Sequence, residues 1–192
     1  MTRYIIVFVM AVLFSAAHSQ EEFGMSYNMG LPVGNSTEHI DQYSWRGFGL
    51  EGRWEVDLDY YLGFNASWNV FYDTESGTFQ SETIKATGTQ YKYVNAFPIN
   101  FTAHKYFETS SLPGIPYLGV GVGPHWVEQR TDFGLMSFVD KAWHFGVSPE
   151  VGMIFWNPTS ADVFISARWN YAFKTGSSDA YQYMGFNIGL LF

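Results

Sequence analysis

Charged and ionisable side chains recur at positions that an alternating pattern would turn to one common face. The candidates are Glu51, Arg53, His104, Glu150 and Arg168. Because charges removed from water must be paired, the two carboxylates and two guanidinium groups predict a salt-bridge network inside the fold. Counted from the predicted tight turns, Glu150 and Arg168 stand at similar positions along neighbouring strands, and His104 stands at a similar position along its own strand. Two other interpretations stay open: a gated polar or proton-linked path, and a metal site built on His104 and a carboxylate, although no ligand-spacing motif supports a metal.

The elements that carry these residues alternate with the period of a β-strand rather than that of a helix. One residue of each pair is apolar or aromatic, and the other is mostly Gly, Ser or Asn. The eight alternating segments are Phe23–Leu31, Phe48–Val56, Leu62–Val70, Phe97–Thr102, Leu118–Trp126, Phe145–Met153, Val163–Asn170 and Met184–Phe192. They are close to the length of a tilted transmembrane strand of roughly 9–11 residues.

The connections between the segments alternate in length. Long polar stretches fall at Pro32–Trp45, Asp73–Gly88 and Gln129–Lys141, tight turns fall at Asp57–Asp59, Thr109–Gly114 and Asn157–Ser160, and the last join is Lys174–Asp179. Long loops on one side and short turns on the other are typical of a membrane barrel.

Two further features favour a barrel over a soluble sandwich. The polar face is made of small residues, which suit a narrow interior. Aromatic residues make up 20% of the chain, and they gather near both sets of connections, as interfacial belts would require. The group near the short turns comprises Tyr60, Tyr61, Tyr106, Phe107 and Trp156. We therefore predict an all-β fold, a closed antiparallel transmembrane β-barrel of eight strands.

Prolines complicate this prediction, because Pro98, Pro124 and Pro149 fall inside the alternating segments. A closed barrel has no edge strand on which a missing N–H donor could face solvent. We therefore expect β-bulges at these positions, or strands that extend past the bilayer.

The N-terminus has the pattern of an export signal. A short positive start at residues 1–3 precedes the apolar run Tyr4–Phe14, and small residues stand at Ala17 and Ser19. This pattern predicts a secretory signal peptide at residues 1–19 and one mature domain at residues 20–192. A retained membrane anchor is the alternative, but the apolar run is short for a span.

Charge and cysteine content exclude other classes. The net charge of −8 makes the chain a poor nucleic-acid binder, and the absence of Cys excludes disulfides and thiolate metal sites. We expect no cofactor and no metal.

The chain resembles the small outer-membrane β-barrel proteins of the OmpA, OmpX and OmpW type, in particular the barrel-domain proteins of Bacteroidetes. The resemblance rests on Pro116–Gly123, Trp143–Gly146, Pro149–Gly152 and a terminal strand that ends in Phe192. It implies a location in the outer membrane as a monomer in contact with lipid and lipopolysaccharide. It also implies that Ile188, Leu190 and Phe192 form the signal read by the barrel assembly machinery.

Function is less constrained than fold. We predict a non-enzymatic barrel that stabilises the envelope or presents binding loops; a narrow channel for ions or small apolar solutes is the alternative. The motifs that a lipid A-modifying enzyme would need are missing from the sequence. His144 and His125 are followed two residues later by Gly146 and Val127 rather than by Ser. Neither an Asp-Ser pair nor a Gly-x-Ser-x-Gly elbow occurs.

The long connections are acidic. They carry Glu38, His39, Asp41, Asp73, Glu75, Glu82, Asp132 and Asp140. These residues fit a solvated outer surface, and they also fit a surface that binds cations, a host surface or lipopolysaccharide through divalent ions. Their spacing does not select among these interpretations.

Overall fold

The computed structural model describes residues 21–80, 85–107, 111–134, 136–156 and 161–192. Within these ranges the chain forms eight strands and one short 3-10 helix, Gly34–Glu38. The strands are β1 Glu21–Pro32, β2 Gly47–Asp57, β3 Tyr60–Gln80, β4 Lys85–Tyr106, β5 Ile115–Phe133, β6 Met136–Phe155, β7 Asp162–Ala172 and β8 Tyr181–Leu191. None of the helical residues described here makes a segment long and apolar enough to cross a membrane. The predicted signal peptide and the predicted turn Asn157–Ser160 lie outside the described residues.

Each strand pairs antiparallel with the next, and the sheet closes on itself. The closing seam joins β1 to β8, from Gly24 opposite Leu191 to Pro32 opposite Tyr183. Alternate residues point inward and outward, so the buried residues of β8 are every second one along the strand. The predicted fold, a closed antiparallel barrel of eight strands, is confirmed.

Small inward residues make room for larger ones in the narrow interior. A Cβ atom at Gly146 would lie 2.4 Å from the Cε1 atom of His125, and one at Gly119 would lie 2.5 Å from the Cδ2 atom of His104. These contacts would be far too close, so the imidazoles occupy the space that glycine leaves. Glycine on the inner face therefore leaves room for the histidine rings of neighbouring strands.

The four central strands are much longer than predicted. β3, β4, β5 and β6 contain 21, 22, 19 and 20 residues. Most of the stretches Asp73–Gly88 and Gln129–Lys141, which we expected to be loops, are paired strand. Both faces of these extensions meet water, so they lack the apolar alternation that identifies a half-buried strand.

The prolines do not produce the expected bulges. Ladder pairing lapses over two residue pairs beside each proline: between β3 and β4 at Pro98, between β4 and β5 at Pro124, and between β6 and β7 at Pro149. The register is the same before and after each lapse. Each proline pairs normally with its other neighbouring strand. The missing N–H donor therefore interrupts one ladder locally and does not insert the extra residue that defines a β-bulge.

The connection between β1 and β2 folds over the barrel mouth. The N–H of Gly30 donates to the carbonyl of Ser44 at 2.8 Å, and the N–H of Val70 donates to the carbonyl of Arg46 at 2.8 Å. Ile40, in the middle of this connection, is only 1% exposed. The connection therefore closes the long-connection end of the lumen instead of extending into solvent.

Candidate functional site

The structure brings the predicted charged residues together in the lower part of the lumen, near the short turns. Glu150 and Arg168 are direct cross-strand partners on β6 and β7. Glu51 and Arg53 stand two residues apart on β2 and so share its inward face. The exposed fractions are 2% for Glu51, 0% for Arg53, 6% for Glu150 and 4% for Arg168. We call these residues the lumen charge network.

Each guanidinium group in the lumen charge network contacts a carboxylate. Arg168 Nε donates to Glu150 Oε2 at 2.6 Å, and Arg168 Nη2 lies 3.6 Å from Glu51 Oε2. Arg53 Nη2 donates to Glu51 Oε1 at 2.9 Å. Glu51 therefore bridges the two arginines, and the two positive charges are matched by two negative ones. This matching is what buried charge requires.

Two tyrosines that we did not predict complete the lumen charge network. The hydroxyl of Tyr117 donates to Glu150 Oε1 at 2.7 Å and accepts from Arg53 Nη2 at 3.2 Å. The hydroxyl of Tyr106 accepts from Arg53 Nη1 at 2.8 Å and donates to Glu22 Oε2 at 3.0 Å. The alternation could have found Tyr117, because it precedes Gly119 by two residues and so shares its inward face.

His104 lies beside the lumen charge network without a hydrogen bond to it. Its ring meets that of Tyr117 edge to face, with ring centroids 5.6 Å apart. Neither of its ring nitrogens has a hydrogen-bond partner among the residues that the structure describes. Within the same ranges, no group of three or more His, Asp or Glu side chains is arranged to hold a metal ion.

A chain of uncharged polar groups fills the middle of the lumen. His125 Nε2 lies 3.0 Å from Asn100 Oδ1, and Asn100 Nδ2 donates to Ser148 Oγ at 3.2 Å. Ser148 Oγ in turn donates to Asn170 Oδ1 at 2.9 Å. These four side chains thus form one hydrogen-bonded chain across four strands.

Apolar side chains close the lumen above and below its polar groups. The apolar cap at the long-connection end comprises Ile40, Phe71, Val94, Ala96, Val127, Ala172, Tyr181 and Tyr183. The cluster at the short-turn end comprises Tyr106, Tyr117, Ile154, Phe164 and Leu191. The lumen charge network is therefore enclosed, which suits a structural plug better than a site that exchanges ligands with solvent.

Comparison with known proteins identifies the family. A family model described as the outer membrane protein beta-barrel domain matches residues 5–192. The chain belongs to this outer-membrane β-barrel family. No curated protein sequence matches the chain.

Several solved outer-membrane barrels are similar to this chain at low sequence identity. Neisserial surface protein A has a TM-score of 0.54 and 13% identity, over 89% of this chain and 95% of that one. Ail of Yersinia pestis, in complex with the heparin analogue sucrose octasulfate, has a TM-score of 0.49 and 12% identity, over 91% and 97%. The N-terminal β-barrel domain of Pseudomonas aeruginosa OprF has a TM-score of 0.48 and 10% identity, over 91% and 100%.

Membership of the family assigns the outward face of this outer-membrane barrel to lipid. Its apolar side chains are exposed, as Phe101 at 76% and Phe145 at 62% illustrate. The predicted belt near the short turns is wrong for two residues, Tyr61 and Tyr106, which face the lumen: Tyr106 is 5% exposed, and the two rings stack with centroids 4.1 Å apart. The lumen charge network needs the Tyr106 hydroxyl, and this outweighs the interfacial preference of tyrosine.

The residues predicted to form the assembly signal lie on the outward face of this barrel. Ile188, Leu190 and Phe192 are 49%, 42% and 60% exposed. The backbone of Phe192 pairs with that of Phe23, with N–O distances of 2.8 and 3.1 Å. These side chains are therefore accessible beside the closing seam, and their role in assembly stays a prediction.

Proposed function

We propose that this outer-membrane barrel is a non-enzymatic, non-conducting envelope protein that binds an extended segment of a partner protein through a free strand edge. We further propose that it acts as a monomer, in contact with lipopolysaccharide and inserted by the barrel assembly machinery. The observation that supports the binding role best is the extension of β3 to β6 beyond the barrel, with one edge that exposes large apolar side chains left without a strand partner.

The free edge belongs to the upper part of β6. Residues 136–144 pair with β5 on one side, whereas pairing with β7 on the other side begins at Gly146. Three large apolar side chains there are accessible, since Phe138 is 65% exposed, Val139 52% and Trp143 56%. They are interspersed with the polar residues Ser137, Asp140 and Lys141. We call residues 136–143 the β6 edge.

The opposite edge of the extended sheet has a different character. β3 pairs with β2 only as far as Asn69, so its upper part is also an edge. Its residues there are polar, and Glu75 forms an ion pair with Lys92 at 2.7 Å. Charged and polar edges discourage strand addition, whereas a long apolar edge invites it.

Every second residue of the β6 edge directs its backbone N–H and C=O groups to the side without a strand partner. The carbonyl of Phe145 accepts from the N–H of Phe173, on the β7 side. Because alternate residues of an antiparallel strand direct both N–H and C=O to the same side, Lys141 and Val139 direct theirs to the free edge. Val139 therefore offers a donor that the pairing of β5 with β6 does not use.

Val139→Pro should weaken binding at the β6 edge while leaving the barrel intact. Proline removes the outward N–H donor, and at an edge position it spares the existing ladder. The probe is a capped, labelled peptide of alternating valine and threonine with a lysine at each end, titrated against the refolded full chain in micelles. We expect Val139→Pro to weaken binding by at least about tenfold, the equivalent of one backbone hydrogen bond.

Val139→Ala is the matched control, because it removes the same side chain and keeps the donor. It should bind the peptide within about twofold of the unchanged protein, since backbone groups supply most of the affinity in strand addition. Equal binding by the proline and alanine variants would contradict the proposal, and so would failure of the unchanged protein to bind the peptide.

A further inference from the structure

We propose that a cavity at the long-connection mouth of the barrel binds a neutral saccharide. This mouth cavity has a volume of about 480 Å³ and lies between the 3-10 helix, β5 and the connection from β7 to β8. Its lining includes Asn35, Glu38, His39, Gln129, Lys174 and Tyr181. The volume falls in the range of pockets that hold small organic ligands. The inference rests on the lining of this cavity and not on the β6 edge, although Asp140 of that edge is joined to one cavity wall through Ser178.

Hydrogen bonds hold the walls of the mouth cavity in place. The N–H of Gln182 donates to Ser36 Oγ at 2.7 Å, and the N–H of Val33 donates to the carbonyl of Gln182 at 3.2 Å. Ser178 Oγ donates to Asp140 Oδ2 at 3.0 Å, which ties the second wall to β6. A site with fixed walls loses little conformational entropy when a ligand binds.

Two buried polar atoms of the lining residues lack partners. The Tyr181 hydroxyl and His39 Nε2 form no hydrogen bond with any residue that the structure describes. Tyr181 is only 2% exposed, and its ring packs against those of Phe71 and Tyr183, with centroids 6.0 and 6.1 Å away. Packing requires the ring and not the hydroxyl, whereas a buried hydroxyl without a partner is destabilising. Because Tyr181 lines the mouth cavity, a polar group of a bound ligand is the partner that we propose for this hydroxyl.

The charges around the mouth cavity favour a neutral ligand. Lys174 is already paired with Asp179 at 2.7 Å. Burial lowers the pKa of His39, and the nearby Lys92 lowers it further, so the imidazole is neutral at pH 7. A polyanion would meet no free cluster of positive charge in this lining. A calcium ion would have to compete with Lys174 for Asp179, and Glu38 with the amides alone supplies too few oxygen ligands.

Hydroxyl groups match the remaining lining. The amides of Asn35 and Gln129 each donate and accept, the carboxylate of Glu38 accepts, and neutral His39 and Tyr181 can do either. A sugar hydroxyl also donates and accepts at once, so adjacent hydroxyls can satisfy such a mixed set. The saccharide could belong to lipopolysaccharide or to a soluble glycan, since both offer the same chemistry.

Tyr181→Phe tests the mouth cavity with the loss of one oxygen atom. The full chain in phosphatidylcholine nanodiscs is titrated with maltose and with lactose, and binding is followed by saturation-transfer NMR. We expect both sugars to bind the unchanged protein and Tyr181→Phe to weaken binding by at least about fivefold. The matched control is Tyr183→Phe, whose hydroxyl donates to Asn69 Oδ1 and does not line the cavity; it should bind as the unchanged protein does.

Competition then separates the two sources of sugar. Displacement of the disaccharide by lipopolysaccharide but not by lipid A would assign the site to membrane sugar, and lack of displacement by either would assign it to a soluble glycan. Absence of a disaccharide signal would overturn the proposal. So would equal losses in the Tyr181→Phe and Tyr183→Phe variants, or binding of calcium or sucrose octasulfate in place of neutral sugar.

Discussion

Replacing Arg168 with alanine should lower the free energy of unfolding by about 3–5 kcal/mol. Arg168 donates to Glu150 at 2.6 Å and to Asn65 Oδ1 at 2.6 Å, and it is 4% exposed. Without it, Glu150 would keep a buried negative charge whose nearest remaining donor is the Tyr117 hydroxyl. The expected loss is read from urea unfolding of the refolded protein in micelles, followed by tryptophan fluorescence.

Arg130→Ala is the control for this experiment. Arg130 also pairs with a carboxylate, Asp132, at 2.8 Å, but it lies on the extended sheet with half of its side chain exposed. Ion pairs in water contribute little because solvent screens them, so this variant should unfold at the same urea concentration as the unchanged protein. If Arg168→Ala also left the midpoint unchanged, the lumen charge network would not exist as described.

A second large effect is expected on the outer wall, where Phe101→Arg should destabilise the barrel by about 2–4 kcal/mol. Phe101 is 76% exposed on the outward face of β4, between Lys105 and Asn95, which mark the ends of an apolar stretch. Because this face meets hydrocarbon, a guanidinium group near the middle of the bilayer is costly. The measurement is unfolding of the protein folded into lipid vesicles.

Phe101→Leu and Val139→Arg separate the membrane effect from general damage. Leucine keeps position 101 apolar and should cost much less than arginine, and an arginine at Val139 stands on the extended sheet in water. Equal stability of Phe101→Arg and Phe101→Leu would show that Phe101 does not face hydrocarbon.

Much of the barrel follows from the alternating pattern alone. The pattern correctly assigns the inward face to Glu51, Arg53, Glu150 and Arg168, because a period of two leaves no freedom once the direction of one residue is known. The sequence alone places Tyr106 in a belt at the interface, because a position near a turn suits a tyrosine at the interface as well as one in the lumen. Its inward orientation becomes clear only from the packing of the lumen, where its hydroxyl bridges Arg53 and Glu22.

Features outside the barrel could not be predicted because they depend on pairing between distant segments. The extensions of β3 to β6 have water on both faces, so their sequence does not alternate. Ile40 is a single apolar residue in a polar connection, and its burial depends on the fold of that connection over the mouth. The mouth cavity combines residues near positions 36, 129 and 180, and no local motif unites them.

The central claim is that the lumen is closed by the lumen charge network and the apolar cap. Single-channel recording of the purified barrel in planar lipid bilayers tests this claim most directly. We expect no steady openings at moderate voltage, because charged, polar and apolar side chains fill the lumen from one end to the other. Regular, stepwise conductance would contradict a filled lumen and would favour the narrow channel instead.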